Sequence, residues 1–306
     1  MVWTEADIPD QSGRLALVTG ANSGLGLETA RALAARGARV LLACRDPERG
    51  EQARQALLPI ASAGVEVLAM DLADLTSVAR AAEQVATKHG QLDLLINNAG
   101  VMAPPRRLSR QGFELQFAVN HLGHFALTQA LLPLLKARAG ARVVHVSSGA
   151  HYFGRIAFDD LQGERRYDAW AAYAQSKLAN VMTALELQQQ LEASGSTVLS
   201  VAAHPGLART NLQPTSVAAR GSRLEGLAYR LMDPLFQNAA MGALPQLYAA
   251  TASDVQGGEF FGPGGLGNLK GHPVRCRLAA SARDAAQRQR LWQLSEQLSH
   301  EELDQP

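Results

Sequence analysis

The sequence of 306 residues is poor in cysteine, with Cys44 and Cys276 the only two. That leaves no disulfide framework, and neither thiol has metal-ligand spacing. Reduced thiols and an intracellular protein are expected. Charge of one sign is also lacking. Lys and Arg number 29 against 28 Asp and Glu, a formal net charge of +1. Bulk charge therefore recruits neither nucleic acid nor an anionic membrane. The local basic groups, Arg106-Arg107-Leu108-Ser109-Arg110 and Arg165-Arg166, read as solvated loops. No run of about 20 apolar residues is present to span a bilayer. Met1 to Arg14 is acidic and polar with Pro9, and lacks the basic-then-apolar pattern of a signal peptide. A soluble, cytoplasmic protein is the expectation. Internal repeats and linkers are missing too, so residues 1–306 are expected to form a single domain.

Strands alternating with helices are what the sequence does contain. The apolar run from Leu15 to Thr19 reads as a buried strand. It enters Thr19-Gly20-Ala21-Asn22-Ser23-Gly24-Leu25-Gly26 and then a helical stretch to Ala35, which Gly37 stops. Arg39 to Ala43 is the next strand. Strand, Gly-rich turn, helix and strand make a βαβ unit. Its glycines allow a tight turn and close backbone approach, and the helix N-terminus offers free N–H groups to a pyrophosphate. The spacing is Gly-x-x-x-Gly-x-Gly rather than the usual dinucleotide Gly-x-Gly-x-x-Gly.

The second strand runs out into Cys44-Arg45-Asp46. An acid here favours a ribose 2′-OH and NAD, whereas an arginine favours a 2′-phosphate and NADP. Residue counting leaves both Cys44 and Asp46 open as the relevant slot, with Arg45 between them. After a third strand, Val65 to Met70, Asp71-Leu72 could meet an adenine or cap the next helix. A fourth strand, Leu92 to Ile96, ends in Asn97-Asn98-Ala99-Gly100, small and amide residues suited to backbone contact with a cofactor. A long helix is expected over Gly112 to Arg138, bent late by Pro133. It carries Asn120, His121 and His124. The two histidines lack a nearby third ligand, so packing rather than metal is expected.

A fifth strand, Arg142 to Val146, ends in Ser147-Ser148. A loop at about 150–168 follows, then a helix from Ala169 to Leu191 carrying Tyr173-Ala174-Gln175-Ser176-Lys177. Tyrosine and lysine four apart share a helix face. The ammonium favours the phenolate and draws the tyrosine pKa below its usual value of about 10, making a proton donor usable near neutrality. Beyond a sixth strand, Thr197 to Ala202, come His204-Pro205-Gly206 and Thr210. A stretch at about 207–237 reads as a mobile lid with short helices, and Gly257 to Phe261 reads as a last short strand. Ala279 to Leu298 is an amphipathic terminal helix. The alternation predicts an α/β fold, a parallel sheet with helices on both faces.

Taken together, Thr19-Gly20-x-x-x-Gly24-x-Gly26, Asn97-Asn98-Ala99-Gly100, a serine closing the fifth strand and Tyr173-x-x-x-Lys177 occur in one order. In that order the chain resembles the short-chain dehydrogenases/reductases over about residues 13–265. Ala43-Cys44-Arg45-Asp46, Val119-Asn120-His121-Leu122-Gly123-His124-Phe125 and His204-Pro205-Gly206 resemble most the retinol dehydrogenase and protochlorophyllide reductase branch. The resemblance implies a Rossmann-type doubly wound sheet of about seven strands. It also implies an oxidoreductase acting on an alcohol/carbonyl pair, with NADP(H) favoured over NAD(H) through Arg45 and no metal.

By the same resemblance Tyr173 is the general acid/base, and Lys177 holds the nicotinamide ribose and lowers the tyrosine pKa. Ser148, the second of its pair, hydrogen-bonds the substrate oxygen. Asn120 orders a water that links Lys177 to solvent. Gly20, Asn22, Ser23, Gly24, Leu25 and Gly26 bind the cofactor. Asp71, Leu72, Asn98, Ala99, Gly100, Pro205, Gly206 and Thr210 line the rest of the cofactor. The 25 residues from Ser148 to Tyr173 exceed the family's usual spacing, and the insertion is expected to border the substrate. His145, where the family often has Asn, is expected to be a packed strand residue. Family members often pair through the helices holding Asn120 and Tyr173, so a homodimer is possible. Two other functions are weighed: a silent NADP-binding sensor or scaffold, and a reductase of an activated C=C bond. Against the second, Cys44 and Cys276 do not supply the usual cysteine cluster.

Overall fold

The computed structural model describes residues 2–209 and 236–300. Eight strands form one sheet: β1 Leu15–Thr19, β2 Arg39–Cys44, β3 Val65–Ala69, β4 Leu94–Asn97, β5 Arg142–Val146, β6 Leu199–Ala203, β7 Phe260–Pro263 and β8 Pro273–Arg275. Their order is β3-β2-β1-β4-β5-β6-β7-β8. The first seven run parallel. β8 pairs antiparallel with β7, Phe261 opposite Arg275. The eighth strand is an addition to the expected seven. Its connection to β7 is too short for a crossover, which dictates the reversed direction. All five residues of β1 are buried, as an apolar run covered on both faces requires.

The strand order reverses between β1 and β4. That reversal opens a crevice at the carboxyl ends of the strands, the usual ligand position in such sheets. Helices α1 Gly24–Ala35, α2 Pro47–Leu57 and α3 Leu75–His89 alternate with the first strands. The expected long helix over Gly112 to Arg138 is in fact three pieces. A single turn, α4 Leu115–Phe117, runs into a π-helical segment, Ala118–Leu122, and then into α5 Gly123–Lys136. Pro133 lies inside α5, which continues past it to Lys136. Helix α6 is Ala169–Ala193, α7 is Ala239–Thr251 and α8 is Ala285–His300.

α8 starts later than expected because Asp284 starts it, accepting a hydrogen bond from the Gln287 amide at 3.1 Å. It lies across α5 and α6. Trp292 meets Phe125 edge-on at 4.8 Å between ring centroids, and the Ser295 hydroxyl sits 2.8 Å from His121 Nε2. Arg288 pairs with Glu186 at 3.4 Å. Leu291 is fully buried there, worth about 2 kcal/mol. A homodimer built on this face of α5 and α6 would first have to displace α8.

Candidate active site

The glycine turn is held by backbone geometry. Gly20 and Gly24 have φ of +66° and +54°, where a side chain is strained. A Cβ on Gly20 would sit 3.0 Å from Ala99 Cβ, and one on Gly26 would lie 2.6 Å from Asn98 Nδ2. The turn therefore packs directly on the end of β4. Asn22, Ser23 and Gly24 stay half-buried along the crevice, while Leu25 and Gly26 are buried. Ser23 occupies the N-cap of α1, yet its side chain makes no capping bond. The first N–H groups of α1 have no partner within the helix, so the turn fits a pyrophosphate.

The end of β4 is tied to that turn. The Thr19 hydroxyl oxygen accepts from the Asn98 and Ala99 amides, each at 2.9 Å, and Asn98 Nδ2 donates to the Thr19 carbonyl at 2.8 Å. Gln246 Nε2 reaches Asn98 Oδ1 at 3.2 Å and brings α7 into the network. Asn120 lies in the π-helical segment and is fully buried. Its Oδ1 accepts from the Val101 amide at 2.7 Å. Its Nδ2 donates to the Val101 carbonyl and the Ser176 hydroxyl, both at 2.9 Å. The visible work of this side chain is to join the segment after β4 to α6. A Cβ on Gly100 would lie 3.0 Å from Asn120 Oδ1 and 3.3 Å from Lys177 Nζ, so these three share one shoulder of the crevice.

The two serines closing β5 have different surroundings. Ser147 is buried, and its hydroxyl donates to the Lys177 carbonyl at 2.7 Å. Ser148 is half-buried, and its hydroxyl oxygen accepts from the Ala150 amide at 3.2 Å. The Val146 carbonyl accepts from Lys177 Nζ at 3.3 Å and from Asn180 Nδ2 at 3.1 Å. These bonds dock α6 against the end of β5. Lys177 is buried, and loss of hydration pushes its pKa down to about 8. Its ammonium lies 5.8 Å from the centroid of the Tyr173 ring. Tyr173 is 7% exposed, with Trp170 edge-on at 6.1 Å.

At the far end of the crevice, Arg45 is exposed beyond β2. Asp46 caps α2, accepting from the Arg49 amide at 3.1 Å. Cys44 is buried, and its thiol is turned to the Leu42 and Asp46 carbonyls at 3.7 and 3.6 Å. Of the three residues, Arg45 alone presents an uncommitted side chain. Asp71 does not cap α3. Asp74 does so instead, accepting from the Thr76 amide at 3.1 Å, while Asp71 Oδ1 holds the Ala73 amide at 3.0 Å. Leu72 is buried against Gly123. Pro205 and Gly206 follow β6, with Gly206 at φ +65° against Pro263. Thr210 and most of the stretch expected as a lid lie outside the described residues.

The histidines go to separate partners. His121 faces Ser295, and His124 contacts the Thr19 hydroxyl through Nε2 at 2.8 Å and the Asn120 carbonyl through Nδ1 at 3.0 Å. His145 is buried on β5, 3.3 Å from the Ser200 hydroxyl. Burial lowers the pKa of His121 and His145 to about 3. The loop after Ser148 is packed rather than loose. Gly149–Phe153 forms a 3-10 turn, Ile156 and Leu161 are buried, and Gln175 ties the loop to α6 through the Ala157 amide at 2.8 Å. A cavity of about 240 Å³ opens between this loop and the α6 face bearing Ala171 and Gln175, not the Tyr173 face. The roles of Thr19 and Ser147 went unread in the sequence. Position is the only signal for either: Thr19 precedes the first glycine, and Ser147 precedes Ser148.

Comparison with known proteins shows the family and the fold. The family model for short chain dehydrogenases fits residues 14–221. Mouse retinol dehydrogenase 12 is 41% identical over 295 residues, covering 95% of this chain and 87% of its own length. A crystal structure of an uncharacterised protein from Mycobacterium paratuberculosis superposes with a TM-score of 0.81 at 44% identity, covering 98% of both chains. A Beutenbergia cavernae protein, provisionally assigned as an NAD(P)-dependent gluconate 5-dehydrogenase and solved with NADP at low occupancy, gives 0.64 at 27% identity. It covers 81% of this chain and 94% of its own. The chain belongs to the short-chain dehydrogenases, the nicotinamide-dependent oxidoreductases whose glycine turn, strand-end serine and Tyr-x-x-x-Lys helix it carries in order.

Proposed function

We propose that the protein works as one Rossmann domain that interconverts an alcohol and a carbonyl with NADP(H). The observation that carries this reading is the docking of α6 on the end of β5. It ties Lys177 to the Val146 carbonyl, two residues before the half-buried Ser148, with the Tyr173 ring 5.8 Å from the Lys177 ammonium. When bound, the nicotinamide supplies or takes the hydride. Ser148 donates a hydrogen bond to the substrate oxygen as negative charge builds there. Tyr173 gives that oxygen its proton, or removes it in the other direction. The Lys177 ammonium favours the ionised tyrosine and holds the nicotinamide ribose. With a pKa of about 8 it is still charged at neutral pH. Asn120 holds the shoulder on which that ammonium rests.

The exposed Arg45, with Asp46 committed to its helix, supports a 2′-phosphate and hence NADP(H). Thr210 is assigned by resemblance to the cofactor's nicotinamide end or its phosphates. The relatives' names make retinol and retinal sensible members of a first substrate panel, beside simple ketones, aldehydes and alcohols. The test is Tyr173→Phe. Turnover should fall by about 10²- to 10⁴-fold while NADPH still binds, as followed by cofactor fluorescence. Near-normal turnover in that variant would refute the mechanism. Tight NADPH binding with no wild-type turnover on any substrate would instead favour a silent sensor.

A further inference from the structure

His124 lies outside every role given above, yet it touches both halves of the crevice. It is 2% exposed and sits on the first turn of α5, directly after the π-helical segment. Its Nδ1 is 3.0 Å from the Asn120 carbonyl. A carbonyl oxygen has no proton to give, so Nδ1 carries the hydrogen and donates. Nε2 of the neutral ring is then an acceptor, 2.8 Å from the Thr19 hydroxyl. That hydroxyl has one proton. Its alternative acceptor, the Ile96 carbonyl, is farther away at 3.4 Å. The proton goes to His124. The two lone pairs of the Thr19 oxygen are then left for the Asn98 and Ala99 amides, each at 2.9 Å. The bonds of the chain Asn98/Ala99–Thr19–His124–Asn120 thus all run in one direction.

We propose that His124 is a positioning residue whose two ring nitrogens fix the Asn120 carbonyl beside the Lys177 shoulder and, through Thr19, the Asn98–Ala99 backbone behind the glycine turn. The assignment needs a neutral ring. An imidazolium would turn a hydrogen on Nε2 toward an oxygen whose lone pairs are already taken. Burial, helped by the Lys177 charge, holds the ring neutral, with a pKa of about 4. One imidazole thus sets the distance between the cofactor cradle and the catalytic turn. The functional half of the proposal rests on the NADP(H) reading above. The structural half does not.

Variants at both ends of the ring separate the two links. His124→Asn keeps a donor near Nδ1 and gives up Thr19. His124→Gln reaches Thr19 with an acceptor and gives up Asn120. His124→Phe loses both. Thr19→Val removes the hydroxyl, and Thr19→Ser restores it. In the cofactor-free protein, amide hydrogen exchange at Asn98 and Ala99 should quicken in His124→Asn, His124→Phe and Thr19→Val. It should stay near wild type in His124→Gln and Thr19→Ser. The Kd for NADPH should rise about tenfold in the first three, the effect of one buried hydrogen bond. His124→Gln should lower kcat at saturating cofactor while its Kd stays within about twofold. Exchange that follows each variant's global stability rather than this grouping overturns the proposal. So does equal movement of Kd and kcat in the Asn and Gln variants. A wild-type protein that binds no NADPH would sink the cofactor reading, and the exchange measurement would still decide the His124–Thr19 link.

Discussion

Around the glycine turn and the end of β4, polar side chains are spent on one another. Thr19, Asn98 and Asn120 each hold backbone or side-chain partners at 2.7–2.9 Å. Around Ser148 and the loop after it, the described residues leave more uncommitted. The Ser148 oxygen accepts a single longer bond, and His151 Nε2 is buried without a partner. Phe153 is 88% exposed. The contrast separates two tasks. On the proposed function, a cradle that receives the same dinucleotide each time can be closed by its own hydrogen bonds, and a surface that meets a substrate must keep side chains the fold does not need. Ser147 and Ser148 show the same division between adjacent residues.

The largest effect that could break this contrast is at Ser148. Ser148→Ala should lower kcat/KM by about 10²- to 10³-fold, with little change in melting temperature. A loss of only a few-fold in steady-state assays would remove Ser148 from the chemistry. Next comes the nucleotide's far end. Arg45→Ala should raise the KM for NADPH roughly 10- to 100-fold and leave that for NADH nearly alone. Parallel kinetics with both cofactors showing equal shifts would count against NADP preference. Ser147→Ala should act in the opposite manner to Ser148→Ala. It loses the bond to the Lys177 carbonyl, so unfolding by urea should show about 1 kcal/mol less stability. If the two alanine variants behave alike, the division between the serines is wrong.

The most distributed effect is that of acid. His121, His124, His145 and His204 have folded-state pKa values lowered to about 3 or 4 by burial. Unfolded, each titrates near 6.5. The unfolded chain therefore binds more protons below about pH 6.5, and stability is lost as pH falls toward the folded values. Melting temperature should decline steadily from pH 7 to pH 4. A flat profile over that range would mean that these rings are not held neutral.

Much of this was legible in local patterns. The βαβ unit, the strand ends and the Tyr173–Lys177 face follow from short apolar runs, turn residues and helical spacing. What was not legible depends on partners far apart in the chain. Thr19 acquires its role from the Asn98 and Ala99 amides, 79 and 80 residues away, and from His124, 105 residues away. β8 has three residues, too few to show a period. The π-helical segment at Ala118–Leu122 keeps the apolar pattern of an ordinary helix, so periodicity alone reads one continuous helix there. Pro133 is a sound breaker signal in isolation, but it stands within the last turn of α5. Which of Cys44, Arg45 and Asp46 the fold commits, and whether Asp71 caps the next helix, needed coordinates because each residue type suits several positions.

The bond between Ser295 and His121 spans 174 positions. During synthesis the N-terminal portion emerges first, at about 5–20 residues per second. The sheet through β6 and the helix bearing Tyr173 can therefore form while α8 is still on the ribosome. Until then Phe125 and His121 lack the cover that Trp292 and Ser295 give them. Until α8 has been made, the nascent chain carries an unclad apolar flank on α5 and α6.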